Sequence, residues 1–358
     1  MIPSYDVPPA GLPSAPGPTP DAAAIDAILH AYRTSQALMT AVRLGLFDGL
    51  DADDPCGRPV PLGRLASVAG IPQESAAVLV AVLEGVGLLA RRGGGLVATP
   101  LAAAHLTPDA PYPLRRWVES EQEKYVGFGG LAEALRAAPE PEDDARAERR
   151  LRGAPAARLE GLAEVARARG PENARIVATL TAGLGRGGRL LDAGGGHGLD
   201  AIGIVTGLPG WTAVVADRPE PVEVARANAR ANGVPDLVRV VEADLERDDL
   251  AALTGGGFDV AFLFMVLGGK PAPEAAAVLT RIREALAPGG WLVVRGNWTD
   301  RLRGATSALK HMLRPGGRAT MTHERTLELL GEAGFVDVHT VAGEGIAPHA
   351  SVAARRAG

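Results

Sequence analysis

The stretch Arg189-Leu190-Leu191-Asp192-Ala193-Gly194-Gly195-Gly196-His197-Gly198 joins a short apolar run, closed by an acid, to a turn dense in glycine. Residues 189–192 read as a buried strand, and residues 200–206 beyond the turn read as a helix. Glycines let backbone come close to a ligand, and the helix that follows aims its free N–H groups at that ligand. Strand, turn and helix form the first switch point of a doubly wound sheet, where ligands bind beyond the carboxyl ends of the strands.

The alternation continues on the C-terminal side. Strands fit residues 212–216, 238–241, 258–264 and 291–295. One helix fits 219–232 and stops at Gly233; another fits 273–287 and is ended by Pro288-Gly289-Gly290. A tail adds a helix at 324–332 and strands near 336–341 and 350–354. Alternating strands and helices with right-handed crossovers predict an α/β fold, a doubly wound Rossmann-like sheet.

The N-terminal side differs. Residues 1–20 carry seven prolines and read as a disordered arm, without the basic and apolar regions of a signal peptide. Helices follow from Asp21, at 61–69 and at 73–86, and then a short hairpin over 88–99. Helices capped by a hairpin predict an α-rich winged-helix domain over 21–110. Residues 111–170 are expected to be a helical linker roofing a pocket, with 139–150 as an exposed loop, and 171–358 the catalytic domain. The candidate recognition helix, 72–87, has no Lys or Arg and carries Glu74 and Glu84, which argues against DNA. Its apolar residues Val78, Val80, Val82 and Leu83 suit burial, within the domain or against another subunit.

The 358 residues are 46% hydrophobic and 22% charged, with a net charge of −5, which offers nothing to nucleic acid or an anionic membrane. No apolar run is long enough to span a bilayer. The single cysteine, Cys56, excludes a disulfide framework and a Cys-rich zinc site. A cytoplasmic protein without a metal is expected.

Two further acids stand near strand ends, Asp217 and Asp244, the latter followed by Leu245. Asp217 can accept from two ribose hydroxyls or cap the helix at Pro219; Asp244 can flank a cofactor or be an ordinary loop acid. Gly196-x-Gly198-x-x-Ala201 formally satisfies a dinucleotide fingerprint. Asp192, however, points an acid into the crevice where a pyrophosphate would sit. That favours S-adenosylmethionine, whose sulfonium, amino group and ribose diol suit Asp192, Gly194, Gly196, Gly198, Asp217, Asp244 and Leu245.

With those residues, Ala41-Val42-Arg43-Leu44-Gly45-Leu46-Phe47-Asp48, Leu83-Glu84-Gly85-Val86-Gly87-Leu88-Leu89, Ala285-Leu286-Ala287-Pro288-Gly289-Gly290 and Leu330-Gly331-Glu332-Ala333-Gly334-Phe335 complete a pattern. The chain resembles the S-adenosylmethionine-dependent small-molecule O-methyltransferases with an N-terminal winged-helix dimerisation domain, in their bacterial secondary-metabolism branch. The resemblance covers about residues 25–356. It implies a seven-stranded sheet with an antiparallel last hairpin, the cofactor at Gly194–Gly198, Asp217 and Asp244, and a homodimer built on the helical domain. It also exposes a departure. Where that family places a His-Asp-Trp step with its general base, this chain has Gly268-Gly269-Lys270, and a glycine takes no proton.

The catalytic candidates are His311, as a replacement for the base, Tyr125, on a helix that roofs the pocket, and Asn297, flanking the acceptor; their alternatives are a solvated helix histidine, ordinary packing and a plain loop role. Trp298 stands beside Asn297; Glu121 lies one turn before Tyr125; Lys270 and Lys310 are candidates to hold an anionic acceptor; His197 is expected to space the turn. The expected function is methyl transfer to a carbon, a nitrogen or an acidic oxygen of a small natural-product intermediate. The alternatives are a non-methylating enzyme (decarboxylase, hydroxylase or rearrangement catalyst) that keeps the cofactor as a charge, and a winged-helix regulator sensing a metabolite.

Overall fold

The computed structural model describes residues 23–51, 53–137, 156–185, 187–268, 270–300, 302–313, 321–341 and 351–358. The arm expected at 1–20 and the loop expected at 139–150 lie outside them. The chain divides into two compact units between Glu123 and Lys124.

The first unit opens with α1 (Ala23–Arg43), then a 3-10 turn at Leu46–Gly49, α2 (Leu62–Ala69) and α3 (Gln73–Gly85). A two-stranded antiparallel hairpin follows, β1 (Leu89–Arg92) and β2 (Gly95–Ala98), and then α4 (Pro100–His105). Gly70 ends α2 in the left-handed conformation, which suits a residue without Cβ. Thr99 caps α4 by accepting from the Ala102 N–H, with Pro100 in the first turn, where its missing N–H costs nothing. Leu46, Phe47, Leu65, Val80, Leu83 and Leu96 fill the core. On α3, Val80 and Leu83 are buried while Val78 and Val82 face out, so the helix is apolar on both sides. On α1, Ile25, Ile28 and Leu29 are each more than 60% exposed.

Helix α5 (Arg115–Gly127) crosses the division; a 3-10 turn at Phe128–Gly130 and α6 (Leu131–Arg136) follow it. The second unit continues with α7 (Ala156–Leu180), which carries Pro171 in its interior. Then come β3 (Arg189–Ala193), α8 (Leu199–Gly207), β4 (Thr212–Asp217), α9 (Pro219–Ala231) and β5 (Val238–Glu242). They are followed by α10 (Leu250–Thr254), β6 (Phe258–Phe264), α11 (Ala272–Ala285), β7 (Leu286–Arg295) and α12 (Leu302–Met312). The chain closes with α13 (His323–Glu332), β8 (Phe335–Val341) and β9 (Ser351–Arg356).

The sheet runs β5-β4-β3-β6-β7-β9-β8. The first five strands pair in parallel, and β9 enters antiparallel between β7 and β8. This is the doubly wound α/β sheet with an antiparallel last hairpin. Crossing from β3 to β6 reverses the winding, and the ends of β3, β4 and β6 meet at that point. Both faces are covered, as a parallel sheet requires. Leu191, Val214, Ala261 and Leu263 pack on one face against Val278, Leu279 and Ile282 of α11 and Leu329 and Leu330 of α13. Leu190, Val215, Val260, Phe262 and Val293 pack on the other against α7, α8 and α9.

Element bounds differ from expectation most at β7, which begins at Leu286, five residues before the start at Trp291 that the sequence predicts. Leu286 is already extended and pairs with Phe258, so α11 stops at Ala285. The residue before a proline avoids helical geometry, and Ala287 precedes Pro288. Gly289 then takes φ 78°, and the pairing is irregular before it resumes at Trp291.

At α13, the Thr322 side chain accepts from the Arg325 N–H at 3.0 Å. Thr322→Ala is expected to lower the free energy of unfolding by about 1 kcal/mol, read from the urea midpoint, because it orphans a helix N-terminal donor.

Candidate active site

The glycine turn follows β3. Gly194 has φ 73°, and its N–H donates to Ala216 O at 2.7 Å, tying the turn to β4. A Cβ built there would lie 2.5 Å from Val266 Cγ2 in the loop after β6, and 3.5 Å from Leu245 Cδ1 in the loop after β5. A Cβ at Gly195 would sit 2.6 Å from the carboxyl carbon of Asp192. Gly198, at φ 71°, precedes α8 and leaves a Cβ only 3.1 Å from Ala225 of α9. Gly196 has φ 54° and is backed by Leu159 of α7. The glycines hold the loop where any side chain would collide or strain.

Asp192 is 1% exposed, and its Oδ2 meets no hydrogen-bond partner among the described residues. Its carboxyl is pushed well above the ordinary range, first by burial and then by the charges of Asp200 and Asp217, with the Ala201 N–H opposing. Asp217 ends β4; its Oδ2 accepts from the Gly196 N–H at 2.8 Å and its Oδ1 from the Arg218 N–H at 2.7 Å. Burial raises its carboxyl too, against those two hydrogen bonds and the Arg218 charge. Asp217 therefore braces the turn, while the cap position of α9 falls to Arg218, whose side chain makes no capping bond.

Asp244 Oδ1 accepts from the Glu246 N–H at 2.9 Å, and its own backbone N–H donates to Asp248 Oδ2 at 2.8 Å. Arg218 reaches Asp244 at 3.8 Å and Glu246 at 3.4 Å, and Lys270 pairs with Glu246. Lys270 thus belongs to an ion-pair chain joining the loops after β4, β5 and β6. His197 is buried; its Nδ1 accepts from the Leu199 N–H at 3.1 Å, and burial lowers its pKa, so the ring is neutral and shapes the start of α8.

Asp192, Gly194, Gly196, Gly198, Asp217, Asp244 and Leu245 therefore converge at the ends of β3, β4 and β5. The catalytic candidates are more dispersed. Gly268, at the position of the missing base, is exposed. Asn297 is buried just past β7, and Trp298 beside it packs edge-on to His323 at 4.7 Å, within the core. Tyr125 is 37% exposed near the end of α5. His311 and Lys310 lie in α12, but their side chains fall outside the described residues. The ends of α5 and α12 do approach each other: a Cβ at Gly127 would lie 3.5 Å from Leu313 Cδ1. Met265, at φ 62°, strains the backbone directly after β6, and such strain clusters at functional sites.

Sequence reasoning missed a second polar group on the face of the sheet that carries Asp192. Arg295, at the end of β7, is 2% exposed. Its Nη2 donates to Asn173 Oδ1 at 2.9 Å, and Asn173 Nδ2 donates to Asp200 Oδ1 at 2.6 Å. The available signal was a cation closing the apolar run Trp291-Leu292-Val293-Val294-Arg295.

A doubly wound sheet with a glycine turn and acids at successive strand ends defines a protein that binds a cationic nucleoside. The buried, unpartnered carboxylate oxygen of Asp192 and a turn with no room for side chains fit such a ligand and suit a pyrophosphate poorly. Residues 165–340 match a family model described as a methyltransferase domain. The N,N-dimethyltransferase OxyT of Streptomyces rimosus is 30% identical over 337 residues, 89% of this chain and 92% of that protein. The tetracenomycin polyketide synthesis 8-O-methyl transferase TcmO of Streptomyces glaucescens is 27% identical over 330 residues, 88% of this chain and 91% of that protein. The crystal structure of human N-acetylserotonin methyltransferase in complex with S-adenosylmethionine superposes with a TM-score of 0.71 at 23% identity, covering 96% of this chain and all of that one. The chain belongs to the S-adenosylmethionine-dependent methyltransferase family.

Proposed function

We propose that this enzyme transfers a methyl group from S-adenosylmethionine to a small natural-product intermediate, at nitrogen, carbon or an acidic oxygen. The observation that carries the donor site is Asp192, a carboxylate buried beside the glycine turn with one oxygen left for a cation. In this reading Asp192 meets the positively charged end of the donor, and Gly194, Gly196 and Gly198 let backbone approach it. Asp217 keeps its brace to Gly196 and accepts from the ribose with its remaining lone pairs. Asp244 and Leu245 flank the base. When bound, S-adenosylmethionine supplies a methyl group activated by its positive sulfur.

The protein's own task is positioning, since displacement at such a methyl group needs alignment more than covalent help. Gly268 removes the usual base, which favours an acceptor that is already electron-rich. Asn297 supplies a buried amide beyond β7, and Tyr125 brings a phenol to the end of α5. Both full-length relatives are named for methyl transfer, one to nitrogen and one to oxygen, which supports transfer over a non-methylating use of the same cofactor.

For the first unit we infer a winged-helix dimerisation domain, within the expected 21–110 span, and a homodimer. The exposed Ile25, Ile28, Leu29 and Tyr32 of α1 support it, as does an α3 without cations. No single helix among the described residues is long and apolar enough to cross a membrane, and we place the enzyme in the cytoplasm, where its donor is available.

Calorimetry tests the donor site. The protein should bind S-adenosylmethionine, and Asp217→Ala should weaken binding at least about tenfold, roughly 1.4 kcal/mol. Unchanged affinity would remove the site assignment. A product heavier by one CH2 confirms transfer, and an acceptor changed without that gain refutes it.

A further inference from the structure

On the face covered by α7, α8 and α9, the edge of the sheet carries a buried acid and a buried guanidinium, Asp192 and Arg295, each with an atom left over. Register places Asp192 beside Phe262 and Phe262 beside Val293, and Phe264 beside Arg295. Side chains two residues apart on a strand share a face, so Arg295 emerges on the side of Asp192, one pleat nearer the carboxyl edge. Its guanidinium lies over the Phe264 ring at 4.3 Å, so it reaches across β6 in the direction of β3. Nε donates to Ser351 Oγ at 3.1 Å and Nη2 to Asn173, with Glu172 at 3.9 Å from the latter nitrogen. Nη1 is buried and meets no acceptor among the described residues.

A buried guanidinium stays charged, and its fork is suited to a carboxylate. Leaving one of its donors without a partner costs free energy that a bound anion would recover. Resting on the donor site proposed above, we infer that Arg295 holds the carboxylate of the donor's amino-acid end through Nη1, while Asp192 holds its ammonium. Asn173 and Asp200 are then positioning residues that keep the guanidinium aimed along the edge. Burial lowers the Arg295 pKa, and the charges of Asp200 and Glu172 oppose that shift.

The test compares S-adenosylhomocysteine, its α-carboxamide and 5′-methylthioadenosine by calorimetry on the full chain. Wild type should bind S-adenosylhomocysteine at least tenfold more tightly than the carboxamide. Arg295→Gln should lose at least tenfold for S-adenosylhomocysteine, show no preference over the carboxamide, and bind 5′-methylthioadenosine as wild type does. Arg295→Lys, with its charge kept, should recover part of the preference. The wild-type comparison needs no variant and stands if Arg295→Gln unfolds. A wild type indifferent to the carboxamide overturns the inference and leaves the donor site intact. So does an Arg295→Gln that keeps the preference, or that loses all three ligands equally, which marks a structural brace. If only the KM of the acceptor rises, the anion belongs to the acceptor and the inference is likewise overturned. If wild type binds none of the three, the donor site itself fails.

Discussion

Asp192→Asn is expected to stabilise the ligand-free protein and to cripple donor binding at once. The folded chain buries this carboxyl with one oxygen unpartnered and with Asp200 and Asp217 close enough to raise it. A folded-state pKa above the unfolded value means that the native state holds the proton more tightly. The stabilisation this provides is complete below the ordinary carboxylate value and is lost as pH rises through the raised one. At neutral pH the wild type therefore carries a penalty that Asn does not, and the variant should unfold about 1–3 kcal/mol later in urea. Below about pH 4 the advantage should vanish, because both side chains are then neutral.

Donor binding moves in the opposite direction. An ammonium is held by the ionised carboxylate, so wild-type affinity should climb as pH rises through the Asp192 value, and binding at lower pH should release a proton. Asp192→Asn should lose about 2 kcal/mol or more, some thirtyfold, since truncating one partner of a buried charge pair costs that much. Calorimetry in buffers of different ionisation heat reads the proton directly. A variant that binds as wild type, or a wild type without pH dependence, would show that Asp192 is not the ammonium partner.

How much of this was legible beforehand differs between the sheet and the site. The parallel strands are nearly continuous apolar runs between glycine and proline punctuation, so Phe258–Phe264 is read correctly to the residue. The start of β7 was not, because Leu286 to Gly290 carries helix-stop chemistry and an irregular strand start together. The acids at the ends of β3 and β4 were visible as residue types at strand ends. Their partners were not: the bond from Gly196 to Asp217 spans 21 positions and the one from Arg295 to Asn173 spans 122. Side-chain networks of that separation depend on which helix covers which face. For the same reason Lys270, read as a candidate for an anionic acceptor, pairs with Glu246 across two loops.

The largest loss is expected from a single methyl group, at Gly194→Ala. The position demands φ 73°, which costs an L-residue about 1–2 kcal/mol. Gly233 sets the baseline for that strain alone, with φ 70° and nothing within 4 Å of a built Cβ. Gly233→Ala should cost the strain and leave donor binding unchanged. At Gly194 the added carbon also meets Val266 Cγ2 at 2.5 Å, so either the turn or the loop after β6 must give way. Overpacking of that kind adds about 1–3 kcal/mol, for a total of about 2–5. Relief by moving the turn strains the hydrogen bonds that tie Gly194 to Ala216 and Gly196 to Asp217, and a reacting geometry displaced by about an ångström loses about a hundredfold in rate. The two contributions separate by a second change. Val266→Ala removes the colliding methyl but not the strain, so the double variant should recover most of the lost methyl-transfer rate while staying less stable than wild type. Were Gly194→Ala no worse than Gly233→Ala in both urea midpoint and donor affinity, the turn would have room to spare, and the contact with Val266 would have no part in shaping the donor site.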